Sequence, residues 1–210
     1  ASTGAPLAGA VFELLSGDAV IATQTTGADG VARFENLQPG EYSIREKSAP
    51  EGYLVSVPGE QSVTVTAGGT AHASFANAEI TGKIRIVKRD SLTREALAGA
   101  EFTVTRLSAP AGATGVGDSV VIVTDASGVA ETGWLPWGRY RIKETTVPQH
   151  YVDVGFETEV EIRDSGKTCE IEVENEPTKG YIRITKTDRL NGNPIKGVRF
   201  DIYENDEYGS

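Results

Sequence analysis

The sequence predicts an all-β chain built as tandem immunoglobulin-like antiparallel β-sandwiches, one complete and two truncated. Three observations carry this reading. Short runs alternate apolar and polar residues, as in Lys83-Ile-Arg-Ile-Val-Lys88 and Phe156-Glu-Thr-Glu-Val-Glu-Ile162, which is the period of a half-buried strand. Turn formers punctuate those runs, as at Ala28-Asp-Gly30, Gln38-Pro-Gly40 and Ala67-Gly-Gly69, while no helical period survives over a useful window. Finally, the chain repeats itself at an offset of 98 residues (144 − 46), which carries Glu46 to Glu144, Asn77 to Asn175 and Lys88 to Lys186.

The repeat divides the chain into residues 1–79, 80–178 and 179–210. Expected strands in the second repeat are Lys83–Lys88, Phe102–Thr105, Val120–Val123, Tyr140–Glu144, Phe156–Ile162 and Cys169–Asn175. About seven strands per hundred residues suits a sandwich of two antiparallel sheets. Leu97-Ala-Gly-Ala-Glu-Phe102 matches Ile195-Lys-Gly-Val-Arg-Phe200 at the full offset. It matches Leu7-Ala-Gly-Ala-Val-Phe12 at a shorter one, the difference being a loop around Ser108–Asp118 that is expected to be a flexible, variable edge. The first repeat lacks the counterpart of the lysine strand. The third has that strand, Tyr181–Lys186, and the next one through Tyr203, and then stops. An incomplete sandwich exposes an edge, and two lone strands are marginal.

Composition excludes several functions. The net charge is −10, with 24 Gly, 9 Pro, one Cys and no Met. With no basic stripe to neutralise phosphates, a nucleic-acid partner is not expected. No apolar run reaches the length of a membrane span, so no insertion in this segment is expected. The chain opens at Ala1 without a signal segment and reads as an excerpt of something longer. Cys169 shares parity with Ile171 and Val173 and reads as a small buried hydrophobe, and with His72 and His150 scattered no metal or other cofactor is expected.

Two glutamates stand out. Reading back by twos from Glu144 gives Ile142 and Tyr140, and from Glu46 gives Ile44 and Tyr42, so each carboxyl shares a face with apolar residues. A buried carboxylate is costly unless paired. In the second repeat Lys88 shares a face with Ile84 and Ile86, and Asn175 with Ile171 and Val173, so three polar groups aim at one core. Burial disfavours charge, lowering the lysine pKa and raising that of the glutamate. A neutral Lys88 amine can then attack the Asn175 side-chain carbonyl, with Glu144 polarising that carbonyl and shuttling protons. Ammonia leaves and an isopeptide bond remains. This is a single self-crosslinking event, not enzymatic turnover.

The pattern Ile-x-Ile-x-Lys88-x-Asp90, Leu97-Ala-Gly-Ala-x-Phe102, Thr124-Asp-Ala-x-Gly128, Gly138-x-Tyr140-x-Ile-x-Glu144-Thr-x-x-Pro148-x-x-Tyr151 and Val173-x-Asn175-x-Pro177 resembles the collagen-adhesin B-type (CnaB-like, SpaA-type pilin) domains. The resemblance implies a stalk or spacer in a secreted adhesin or pilin attached to the cell wall of a Gram-positive bacterium. It implies Lys88 as nucleophile, Asn175 as acceptor and Glu144 as catalytic acid/base. In the first repeat it assigns Glu46 and Asn77, and Lys186 is an unpaired nucleophile. His150 stands where that glutamate-bearing segment usually has glycine, which is expected to alter the turn.

Other readings stay open on the residues. Lys88, Glu144 and Asn175 could form only a buried ion pair with an amide hydrogen bond. Lys83 differs in parity from Ile84 and is expected exposed at the junction, and Asp90 is expected out of register with the core, as a turn former. Trp134 and Trp137 flank Pro136, where loop packing competes with a ligand-binding role, so a host matrix protein or glycan is the alternative partner. The expected partners are otherwise neighbouring repeats, with strand complementation between chains a further one: the Lys186 strand entering the Glu46/Asn77 repeat. Against it stands the simpler reading that both ends reflect where the excerpt was cut.

Overall fold

Twelve strands, all laid down by the alternating runs, form the computed structural model, which describes residues 4–202. The first repeat contributes β1 (Val11–Ser16), β2 (Ala19–Thr25), β3 (Gly40–Ser48) and β4 (Glu60–Val65), paired in the order β2-β1-β3-β4. The second contributes β5 (Thr81–Asp90), β6 (Glu101–Arg106), β7 (Ser119–Val123), β8 (Val129–Glu131), β9 (Leu135–Pro136), β10 (Gly138–Thr146), β11 (Glu157–Ile162) and β12 (Thr168–Asn175). Here β11-β10-β6-β7 repeats the order of the first sheet, and β12-β5-β8 forms the facing one.

Strand alternation determines which side chains meet between these two sheets. Every second residue of β5 is buried, and so are Tyr140, Ile142 and Glu144 on β10. Ile84, Ile86, Phe102, Val104, Ile142 and Val173 make the centre of the core. All ladders are antiparallel except β5 with β12, which runs parallel and sets Val173 beside Lys88 and Asn175 beside Asp90. The first and last strands of the repeat are therefore direct neighbours. A tyrosine contact recurs at the repeat spacing: Tyr42 donates to the Gln38 carbonyl at 2.9 Å and Tyr140 to the Pro136 carbonyl at 2.7 Å.

Among the described residues the first repeat forms one four-stranded sheet. Residues 70–77, the counterpart of β12, keep an alternating half-buried pattern but join no ladder, and neither do residues 31–35, the counterpart of β8. Their counterparts β12 and β8 both pair with β5 in the second repeat. A cleft of about 1820 Å³, lined by Phe12, Leu14, Phe34, Ile44, Phe75 and Asn77 among others, occupies that side.

By contact clustering the chain forms two units, Ala1–Pro177 and Thr178–Ser210. In the second, Tyr181–Lys186, expected as a strand, joins no ladder among the described residues. Tyr203 lies outside the described residues. A turn after Lys186 is nonetheless formed as after Lys88. Ile195 N–H donates to the Lys186 carbonyl at 2.9 Å, as Leu97 N–H does to Lys88 at 3.1 Å.

The Ser108–Asp118 loop is not the free edge that its composition suggested. It packs against the first repeat, where Pro110 is buried and Tyr53 donates to the Ala111 carbonyl at 3.4 Å. Gly52, with φ of +84°, sits so close that a Cβ there would lie 2.7 Å from Pro110. Arg106 holds the joint. Its guanidinium is buried and reaches Glu79 of the first repeat, the Trp137 carbonyl, the Ser108 carbonyl at 3.2 Å and the Thr114 carbonyl at 2.7 Å. Trp137 packs at the same joint, while Trp134 is 57% exposed with Lys83 Nζ 5.3 Å from its ring centre. Lys83 also pairs with Glu131 at 2.6 Å, so it is half-buried rather than free.

Candidate crosslinking site

Three strands bring Lys88, Glu144 and Asn175 together at the end of the second-repeat core. Lys88 and Asn175 come from the neighbouring β5 and β12, and Glu144 from β10 in the facing sheet. All three are buried, at 0%, 4% and 1% exposure respectively. Lys88 Nζ is 3.7 Å from Glu144 Oε1. Asn175 Nδ2 donates to Glu144 Oε2 at 3.3 Å and to the Val152 carbonyl at 3.0 Å. Lys88 Nζ, Glu144 Oε1 and Asn175 Oδ1 are left without hydrogen-bond partners. Buried polar atoms in that state are rare and expensive.

Electrostatics follow the burial. Desolvation pushes the Lys88 amine below its ordinary pKa, with the Glu144 carboxyl opposing. Desolvation pushes the Glu144 carboxyl up, against the pull of Lys88 and the Asn175 amide. Both directions favour the uncharged forms, a nucleophilic amine and a carboxylic acid able to donate a proton.

One expected detail differs. Glu144 touches the amide nitrogen of Asn175, not its carbonyl oxygen. The Val152 carbonyl can only accept, so it draws Nδ2 inward and decides which way the amide faces. Glu144 is thereby placed beside the Asn175 amide nitrogen.

Asp90 is a second correction. It is the last residue of β5, on the same face as Lys88, and only 5% exposed. It is also the turn former expected, accepting from Leu92 N–H at 2.6 Å and Thr93 N–H at 2.9 Å. The remaining oxygen accepts from Tyr151 Oη at 2.8 Å. These hydrogen bonds hold its carboxyl below the usual range, the Thr93 backbone contributing most. His150, expected to alter the turn, adopts φ of +71°, close to the +84° of Gly52 in the first repeat. The turn is kept, in a region that costs a non-glycine residue about 1 kcal/mol or more. Cys169 is half-buried, and burial pushes its thiol pKa up.

The first repeat brings its glutamate and asparagine together in the same way, with no lysine beside them among the described residues. Asn77 Nδ2 donates to Glu46 Oε1 at 2.8 Å and to the Leu54 carbonyl at 2.8 Å, the counterpart of Val152. The other Glu46 oxygen accepts from Ser56 N–H at 2.7 Å and Ser56 Oγ at 2.6 Å. Ser56 had no sequence signal, because it lies in an irregular segment and acts through a contact only the fold creates. Lys186 is exposed in the C-terminal unit.

A family model for the SpaA prealbumin-like fold domain matches residues 1–79 and 82–177. The chain belongs to that family. Among solved structures, the Bacillus anthracis TIE protein superposes with a TM-score of 0.72 at 30% identity, over 83% of this chain and 32% of that one. The chain thus spans about a third of that protein's length. The minor pilin GBS52 of Streptococcus agalactiae matches with a TM-score of 0.40 at 20% identity, over 86% and 88% of the two chains. The shaft pilin SpaA of Lactobacillus rhamnosus GG gives 0.38 at 21%, over 84% and 90%. A comparison with curated protein sequences finds no match. SpaA-type domains are structural modules, and the sandwich and its strand order agree with that membership. No helix among the described residues is long and apolar enough to cross a membrane.

Proposed function

We propose that this chain is a stalk or spacer segment of a cell-wall-attached Gram-positive adhesin or pilin, built of repeats 1–79, 80–178 and 179–210. In this reading the second repeat closes itself with a Lys88–Asn175 isopeptide bond. The observation that carries the reading is the set of three buried, unpartnered atoms: Lys88 Nζ, Glu144 Oε1 and Asn175 Oδ1. A permanent ion pair would be expected to satisfy them, whereas a reacting set need not.

In the reaction, Lys88 Nζ bonds to Asn175 Cγ and the Cγ–Nδ2 bond breaks. One proton from the amine travels through the Glu144 carboxyl to Nδ2, which departs as ammonia. The new amide is neutral, so a buried amine no longer has to be desolvated. Glu144 is regenerated, but the substrate is consumed, which makes this self-crosslinking and not turnover.

The position of the bond suits a load-bearing role. Force entering at Thr81 runs along β5 and would cross directly to Asn175 at the exit of β12, since the two strands are neighbours. Strands β6–β11 are bypassed. The buried Arg106–Glu79 contact and the 107–118 loop brace the joint to the preceding repeat, the neighbouring-repeat partner that a stalk requires.

Intact mass tests the bond. The purified chain should weigh about 17 Da less than its sequence, the mass of one ammonia. Glu144→Gln and Asn175→Ala should restore the full mass. A wild-type chain at its sequence mass would refute the crosslink.

A further inference from the structure

We propose that Asp90 and Tyr151 are positioning residues for the Lys88–Asn175 crosslink: the hydrogen bond between them holds the Val152 carbonyl where it turns the Asn175 amide nitrogen toward Glu144. This role rests on the crosslink proposed for the second repeat, and adds to it the groups that orient the acceptor.

The acceptor needs orienting. An asparagine amide has a donor end and an acceptor end, and a half-turn about its last torsion exchanges them. Glu144 alone does not choose between the two ends. As a carboxylate it accepts from Nδ2, but as a carboxylic acid it can also donate to Oδ1. The Val152 carbonyl does choose, because it only accepts, and it takes Nδ2 at 3.0 Å. Its position therefore decides that Nδ2 stands 3.3 Å from Glu144 Oε2, and that Oδ1 is the amide atom left without a partner.

Burial does not hold Val152 in place. It is 39% exposed, and Gln149 and His150 before it are exposed as well. His150 adopts φ of +71°, a region that a residue with a side chain disfavours. The segment is instead fastened by hydrogen bonds to two strands. On the β12 side, Val152 N–H donates to the Glu176 carbonyl at 2.9 Å, and Tyr151 forms a bridge with Pro177. On the β5 side, Tyr151 Oη donates to Asp90 Oδ2 at 2.8 Å. The first set ties the segment to the strand that carries Asn175. The second ties it to the strand that carries Lys88.

Asp90 is suited to receive that bond. Its Oδ1 accepts from both Leu92 and Thr93 N–H in the turn, which leaves Oδ2 for Tyr151. The carboxyl is 5% exposed, and Asp90 pairs with Asn175 across the parallel ladder. Ser91 N–H donates to the Asn175 carbonyl at 3.0 Å and closes the same corner. Asp90 is thus fixed with respect to Lys88, two residues earlier on one face, and to Asn175 on the next strand. The bond to Asp90 pushes the Tyr151 hydroxyl above its ordinary pKa, so it remains a donor. A hydroxyl donating to a carboxylate makes a short, directional contact. Asp90, Tyr151, Val152 and Asn175 together form a closed bracket whose two ends are neighbours in the sheet.

The rate of crosslinking tests the bracket. The full 210-residue chain is made by cell-free translation, quenched in acidic denaturant at intervals and weighed intact. Tyr151→Phe removes only the hydroxyl. Asp90→Ser keeps an oxygen for the turn but falls short of Tyr151. Each should lose ammonia about tenfold more slowly than the wild-type chain, since a displaced reacting group costs rates of that order or more. The double variant should be no slower than the slower single, because both remove one bond. In Lys88→Met, which cannot react, NMR should show the Asn175 side-chain amide protons protected from exchange with water. Tyr151→Phe in that background should reduce this protection while the backbone amides of β5 and β12 keep theirs.

Wild-type rates in both single variants would overturn the role. So would slowed crosslinking with Asn175 protection unchanged, or a double variant slowed by the product of the singles. A wild-type chain that keeps its full sequence mass would overturn the crosslink itself, so failure of that reaction is distinguishable from failure of the bracket.

Discussion

Lys88 Nζ lies 3.7 Å from Glu144 Oε1, and neither atom has a hydrogen-bond partner. The pair is close enough to exchange a proton through a small movement, yet gains little from hydrogen bonding as it stands. Desolvation pushes both groups toward their neutral forms. Burial thus works against the charged form of both a lysine and a glutamate held on opposing sheets.

If Lys88 is tied to Asn175, the bond closes a loop of 87 residues (175 − 88). A crosslink of that span stabilises by about 4 to 5 kcal/mol on the chain-entropy account. Asn175→Ala, which cannot close it, is expected to lose at least that much in denaturant unfolding monitored by Trp134 and Trp137 fluorescence.

The raised Glu144 pKa makes a signed pH prediction in a chain that cannot react. In Lys88→Met the carboxyl loses the charge that opposed its shift, so its folded pKa stays above the unfolded value of 4.5. The folded state then holds a proton that the unfolded chain releases. That contribution is fully present below the unfolded pKa and is lost as pH rises through the folded one. Melting curves of Lys88→Met against Lys88→Met/Glu144→Gln should diverge as pH is raised from 4.5 to neutrality, the chain that keeps Glu144 becoming the weaker. Parallel curves would contradict a buried, proton-holding carboxyl.

Gly128 supports the lysine from behind. Its carbonyl accepts Lys88 N–H at 2.7 Å, its φ is +73°, and a Cβ there would fall 2.5 Å from the Lys88 carbonyl oxygen. Gly128→Ala must displace β5 or the 125–128 turn. The expected result is a mixed population in intact mass, with part of the protein failing to lose ammonia, and a lowered melting temperature.

Arg106 is buried with its charge committed to Glu79 and three carbonyls. Removing it strands those acceptors, and breaking a buried pair costs about 3 kcal/mol. Arg106→Leu should unfold at lower denaturant and become sensitive to proteolysis in the 107–118 loop. Glu79→Gln, on the more exposed partner, should do less.

Much of this was legible because strand chemistry is local. The period-two pattern placed Lys88, Glu144 and Asn175 on core faces, and their strands formed where expected. Asp90 was misplaced because its turn-forming character masked a parity shared with Lys88. The Ser108–Asp118 loop was misjudged because its Ala, Gly and Pro content says nothing of a neighbouring surface. Ser56 and the Val152 carbonyl left no trace, since neither a lone serine nor a backbone oxygen has a pattern.

The sequence by itself determined the sheet-forming segments, the repeat, and which polar residues must face a core, because alternation and self-similarity are properties of the chain alone. Only the tertiary structure decided that β5 and β12 are parallel neighbours and that the Asn175 amide nitrogen faces Glu144. It alone decided that Arg106 locks the joint to Glu79. Those depend on which strands share an edge and which acceptors converge, and residues far apart in the chain acquire such neighbours only when the sheets close.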